Sequence, residues 1–329
     1  MTAATTRMDE RDWGLLIVLS ILWGGSFFFN GVAVRELPPL TIVLGRVTIA
    51  AALLLPLMLA RGGRLPASLA GWVPFLVMGL LNNVIPFSLI VAGQTRIASG
   101  IASVLNATTP LFTVVVMAAA GDEPLVARRL VGVLVGLAGV IVLRGVNLRL
   151  DGGETLGILL CLAGALSYGF SGLWGRRRLA GVPPLTSATC QLVSSSVVML
   201  ALAGAVEKPW LLPTPSIATW LALLGTATFA TALAYIIFFQ ILVRSGASNV
   251  MLVTLLIPVT AILLGHFALG EPLEIREVAG ACIIGCALLI VDGRLRRWLA
   301  ISPARWRSRP DGQPLPAPGG RDARDHTRP

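Results

Sequence analysis

Residues 102–141 read ASVLNATTPLFTVVVMAAAGDEPLVARRLVGVLVGLAGVI, and residues 250–289 read VMLVTLLIPVTAILLGHFALGEPLEIREVAGACIIGCALL. The second stretch restates the first 148 residues later. Pro110 and Pro258, Glu123-Pro124-Leu125 and Glu271-Pro272-Leu273, and Gly132 and Gly280 all keep that offset, and so do Arg96 and Arg244 upstream. A repeat at fixed spacing sets the architecture before any single residue does. Nearer the start of each copy the offset is 145: Trp23-Gly24-Gly25-Ser26 then faces Tyr168-Gly169-Phe170-Ser171, and Arg46 faces Gln191. The change from 145 to 148 implies a three-residue insertion before the third helix of the second copy.

The surroundings of the repeat say what its units are. The chain is 55% hydrophobic and 13% charged, with a mean hydropathy of +0.82. A soluble domain cannot hide that much apolar surface, so the solvent for most of the chain is lipid. Apolar windows of spanning length fall at about 13–34, 40–60, 71–93, 97–119, 130–146, 156–175, 185–206, 217–241, 247–269 and 277–292. No alternating strands of about ten residues occur, which argues against a barrel. The expected fold is an all-α polytopic membrane protein of ten transmembrane helices in two five-helix repeats. Five is odd, so the second repeat enters the membrane from the opposite side, giving the inverted pair typical of secondary transporters.

Its segments read as a cytoplasmic N-terminus (1–12), a first repeat (13–147), a second repeat (156–292) and a basic, Pro-rich, largely disordered tail (293–329). The first span is too long for a signal-peptide core and reads as a retained helix. The net charge of +10 follows topology. With the N-terminus inside, thirteen basic residues near the membrane face the cytoplasm and six face outward. That bias puts both termini in the cytoplasm of a plasma (inner) membrane protein and argues against nucleic acid as partner. The expected partners are a small-molecule solute and membrane lipid. Gly132, Gly136, Gly139, Gly280 and Gly285 suit close helix packing or contact with a second copy, a homodimer.

Leu22-Trp23-Gly24-Gly25-Ser26, Arg46 and the twin Pro…Glu-Pro-Leu…Gly patterns resemble the EamA-like family of the drug/metabolite transporter superfamily. The resemblance runs over residues 13–292. It implies a ten-helix bundle with a central cavity lined by spans 1, 3, 4, 6, 8 and 9, and a secondary carrier, often an exporter of amino acids or other small metabolites.

Polar groups inside a span are costly unless they face protein or water, so each is a candidate for the pathway. Asn82 and Asn83 precede Pro86, while Asn106 precedes Pro110 and its repeat mate Thr254 precedes Pro258. Each proline breaks a helical hydrogen bond and is expected to free carbonyls toward a cavity. Asparagine amides both donate and accept, which suits a polar or zwitterionic solute. Trp23, Tyr168 and Tyr235 lie inside spans, where an aromatic with a polar edge can stack on a solute. These seven are the expected substrate-binding residues; packing and interhelical hydrogen bonding are the other uses of such groups.

Arg46, Glu123, Glu271 and His266 are the coupling or gating candidates. Arg46 can snorkel, meet a buried carbonyl or hold a substrate carboxylate. Glu123 and Glu271, each before a proline at a span end, can close helix ends, and His266 lies near a helix end. No Asp or Glu falls deep in a span, so flux is coupled through His266 or Glu271, or it is uncoupled as in a channel-like facilitator. The sequence calls for no cofactor and no metal site. Nucleotide-binding loops, HExxH and paired intramembrane Asp residues are all missing, which sets aside ATP-driven pumping and membrane-embedded catalysis.

Overall fold

The structure, a computed structural model, describes residues 9–124, 126–144, 153–245, 250 and 252–292. Residues 1–8, Leu125, residues 145–152, most of the start of the expected ninth span (246–249 and 251) and the tail from 293 lie outside the described residues. Every regular element described is helical: α1 Glu10–Ala33, α2 Pro39–Ala60, α3 Leu69–Gln94, α4 Ser99–Ala119, α5 Ala127–Arg144, α6 Gly153–Arg178, α7 Pro184–Val206, α8 Ile217–Leu242, α9 Val253–Leu269 and α10 Ile275–Asp292. Among these, seven (α1–α4 and α6–α8) are long and apolar enough to cross a membrane, and Arg129–Leu143 and Val253–Leu269 are shorter apolar helices.

The helix starts follow from local chemistry, and they repeat. Side chains of Ser68 and Ser216, 148 residues apart, accept the Gly71 and Thr219 amides and cap α3 and α8. Pro39 and Pro184, 145 apart, occupy the first turn of α2 and α7, where a missing N–H costs nothing. The third helix of each copy also carries a π-helical segment at the same register, Leu80–Val84 in α3 and Thr228–Leu233 in α8. Such segments leave the α ladder short of partners and cluster at functional sites.

Helix pairing is preserved when the halves are exchanged. α1 packs on α8 and α9 as α6 packs on α3 and α4; α2 crosses to α7 and α8 as α7 crosses to α2 and α3; α5 packs on α10. Glycines allow the last pair its close approach. A Cβ on Gly280 would lie 2.8 Å from the Gly139 carbonyl oxygen and 2.8 Å from the Leu143 Cα, both backbone atoms that cannot give way locally. Gly280→Leu is therefore expected to lower stability by about 1–3 kcal/mol, read as a drop in thermal midpoint in detergent, whereas Leu at Gly285, which has open space, should change little.

The prolines act differently from one another. At Pro110 α4 is broken by a turn at Ala107–Thr108, and carbonyls at the break accept from side-chain hydroxyls. Thr108 Oγ1 donates to the Leu105 carbonyl (2.6 Å) and Thr109 Oγ1 to the Asn106 carbonyl (2.7 Å). Threonine hydroxyls three residues on replace the lost amide. Pro258 lies inside continuous helix.

Candidate functional site

The two π-helical segments face the second helix of the opposite half, and the polar groups of the bundle core collect there. Asn82 and Asn83 lie in the α3 segment, Thr231 in the α8 segment, and Tyr235 one turn beyond it. Asn82 Nδ2 donates to Gln191 Oε1 (3.0 Å) and to the Tyr235 hydroxyl (3.3 Å). That hydroxyl donates to Asn83 Oδ1 (3.1 Å), and Asn83 Nδ2 donates to Ser195 Oγ (3.0 Å). The Ser171 hydroxyl sits between Asn82 Oδ1 (3.2 Å) and the Tyr168 carbonyl (2.8 Å), and Ser167 Oγ satisfies the Leu81 carbonyl in the π segment (2.8 Å). Asn83 is completely buried, so its amide is held by protein partners rather than water.

On the other side of the pseudo-symmetric site, Arg46 Nε donates to Thr231 Oγ1 (3.0 Å), and the Thr231 hydroxyl donates to the Thr226 carbonyl (2.9 Å). The guanidinium carbon lies 3.7 Å from the centre of the Phe87 ring, a cation–π contact. Arg46 is 7% exposed and shares the inward face of α2 with Val43, Val47 and Ala50. It does not snorkel. Arg46 and Gln191 are repeat mates, as are Thr231 and Asn83, so each half's second helix reaches the other half's π segment.

Asn106 ends the first part of α4, and its Oδ1 is buried with no hydrogen-bond partner among the described residues. Trp23 packs on Phe238 with ring centroids 5.4 Å apart, in the apolar cluster that also touches Tyr168. Thr254 faces elsewhere: it lines an apolar groove of about 420 Å³ with Pro258, Ile262 and Cys282, bounded by α4, α9 and α10.

The carboxylates and the histidine lie at the helix ends. Glu271 accepts from the Ser99 amide (2.9 Å) and the Gly100 amide (3.4 Å), capping α4, and its carbonyl lies 3.0 Å from Nδ1 of the exposed His266. Glu207 caps α2 through the Leu40 (2.9 Å) and Thr41 (2.6 Å) amides, and Glu36 accepts the Ser216 amide (2.7 Å). Anionic caps on helix N-termini are favourable there. The Ser216 contacts hold the Glu36 carboxyl below its usual range. At the opposite helix ends, Glu123 pairs with Arg129 (2.6 Å) and Arg176 (2.8 Å), and Asp122 with Arg177, which holds the Asp122 carboxyl low. Asp12 accepts from Arg244 Nε (2.8 Å).

The twofold division of the chain recurs in the family comparison. The EamA-like transporter family model matches twice, over residues 13–145 and 155–291. The chain belongs to the EamA-like transporter family. Among its relatives, the uncharacterized inner membrane transporter YedA of Escherichia coli K12 is 32% identical over 86% of this chain and 91% of its own length. A protein described as a probable amino-acid metabolite efflux pump of Salmonella typhimurium is 28% identical over 90% of this chain and 100% of its own. One solved crystal structure superposes with a TM-score of 0.59 at 21% identity, covering 88% of this chain and 99% of that one, a likeness of fold. This EamA-like chain is thus a multi-pass membrane protein of a transporter family.

Of the expected substrate residues, this EamA-like protein brings Asn82, Asn83 and Tyr235 into direct hydrogen bonding, with Tyr168 beside them through Ser171. It sets Thr254 in the α9–α10 groove and ties Glu123, Glu271 and His266 into helix ends. Gln191 and Ser195 were not among the expected site residues, although Gln191 stands at the Arg46 position of the other copy. That correspondence was the signal available.

Proposed function

We propose that the chain is a secondary exporter of small metabolites, amino acids among them. It works by alternating access across the plasma membrane, through ten spans arranged as two inverted five-helix halves with both termini cytoplasmic. The observation that carries this reading is the polar network at the boundary between the halves. Its groups come from helices of both repeats, so any rocking of one half against the other opens and closes the space they share. The name of the Salmonella relative supports an amino-acid metabolite as cargo. The arginine-rich helix ends near Asp122 and Asp12 suit the cytoplasmic side, and the ends capped by Glu36, Glu207 and Glu271 the outer side.

One observation favours an uncoupled facilitator as a second reading. Among the described residues every carboxylate belongs to a helix end or a loop, and none joins the central network. Proteoliposome flux against a panel of amino acids, purine bases and cationic drugs, with and without a pH gradient, separates the two. Maleimide labelling of Lys208→Cys fixes the orientation of the reconstituted protein. Gradient-driven accumulation is the result expected of a coupled exporter. Flux indifferent to the gradient means a facilitator, and no flux of any solute overturns both.

A further inference from the structure

We propose that Arg46 is an anion site, receiving the carboxylate of a solute at the polar core between the two halves, with Gln191 and Tyr168 supplying further hydrogen-bond donors. The inference rests on the transporter reading above and narrows its cargo to solutes bearing a carboxylate.

The argument begins with a charge that has no counter-charge. A guanidinium stays protonated in any protein environment, and within a membrane it is among the most expensive groups to bury. Buried intramembrane charges meet a partner or face a pathway. Arg46 is 93% withdrawn from solvent, with 7% exposed, yet among the described residues its sole hydrogen bond is from Nε to Thr231. Both terminal nitrogens, with four N–H donors, have no hydrogen bond to any described residue, and every ion pair described lies at a helix end far along the chain from it.

The orientation is fixed as well as the charge. Thr231 holds Nε and the Phe87 ring holds the face of the guanidinium, and the two terminal nitrogens, unengaged by described residues, carry the fork geometry that matches a planar, two-oxygen ligand. Tyr168 and Tyr235 pack against the cluster that contains Phe87 and the Val43 and Val47 neighbours of Arg46. The Tyr235 oxygen is already engaged by Asn82 and Asn83, whereas the Tyr168 hydroxyl makes no hydrogen bond to a described residue. The Gln191 amide accepts from Asn82 through Oε1 and leaves its NH₂ group unengaged among the described residues. The surplus around this site is one of donors and positive charge, which selects an anion and rejects a cation. The exchange of halves gives the site its polarity, since the mate of Arg46 is the neutral Gln191.

The test uses the full chain in nanodiscs and equilibrium binding, independent of flux. The probes are acids paired with their uncharged amides: benzoate with benzamide, 4-methylpentanoate with 4-methylpentanamide, and N-acetyl-leucine with N-acetyl-leucinamide. The expected result is thermal stabilisation by at least one acid and at least 30-fold weaker binding of its amide, about what loss of a buried charge pair implies. Arg46→Gln should lose that preference, and Arg46→Lys should keep part of it. If Arg46→Gln does not fold, the acid–amide comparison on the wild type still decides. Equal binding of acid and amide, absence of binding by every acid, or an Arg46→Gln protein that binds the acid as the wild type does would each overturn the inference. An acid that binds through Arg46 in a protein that carries no solute of the panel across the membrane would uphold the site and overturn the transporter reading instead.

Discussion

Asn106→Leu is expected to reduce solute flux about tenfold or more while leaving the thermal midpoint in detergent at or above that of the wild type. The two readouts separate because of one atom. Asn106 Oδ1 is buried with no partner among the described residues, and an unmet acceptor in an apolar setting costs about 1–3 kcal/mol. Leucine has nearly the same shape and removes that cost. If a solute donor completes Oδ1 during transport, its loss is felt in flux alone. A variant that melts earlier and transports in proportion to its folded fraction would make Asn106 a packing residue. The neighbouring backbone gives no competing reason for flux to fall, because Thr108 and Thr109 already satisfy the carbonyls at the α4 break.

Asn83→Leu should do the opposite to stability. Asn83 is completely buried and both ends of its amide are used: Oδ1 accepts from Tyr235 and Nδ2 donates to Ser195. Leucine would leave the Tyr235 proton without its acceptor and Ser195 Oγ without its donor, a loss of about 1–3 kcal/mol. The measurement is the thermal midpoints of Asn83→Leu, of Tyr235→Phe and of the two combined. The double variant should recover part of the loss, since removing both partners of a buried hydrogen bond is cheaper than removing one. A double variant that loses the sum of the two single effects would show that Asn83 and Tyr235 are independent.

Much of this arrangement was legible before any coordinates. The Pro-Glu-Pro-Leu-Gly repeat fixed two similar helical units, and the caps at Ser68 and Ser216 obey its 148-residue offset. The π-helical segments were not legible, because residues 69–94 are apolar nearly throughout and give no period to interrupt. That hid the reason Asn82 and Asn83 point into the core. The repeat groups Thr254 with the site through its mate Asn106, but a repeat copies position and leaves neighbours free to differ, and Thr254 lines the α9–α10 groove. Arg46 stood out by its charge, whereas its contact with Thr231 joins residues 185 positions apart and could not be read from local sequence. Number and type of helices come from local patterning; which polar groups meet comes from tertiary pairing.

The pairing of α5 with α10 has a bearing on how the chain is made. α5 is the last helix of its half, and the surface with its glycine notches is shaped for α10. On the ten-span arrangement proposed above, with the chain emerging N-terminus first, α5 would enter the bilayer while five more helices are still to be synthesised. Its Gly132 and Gly139 face must wait among lipid tails, which fill notches poorly, until the final helix arrives. Completion of the first half thus depends on the last helix translated. Nascent chains stalled before residue 275 should present that face to the lipid or to the quality-control machinery that patrols it.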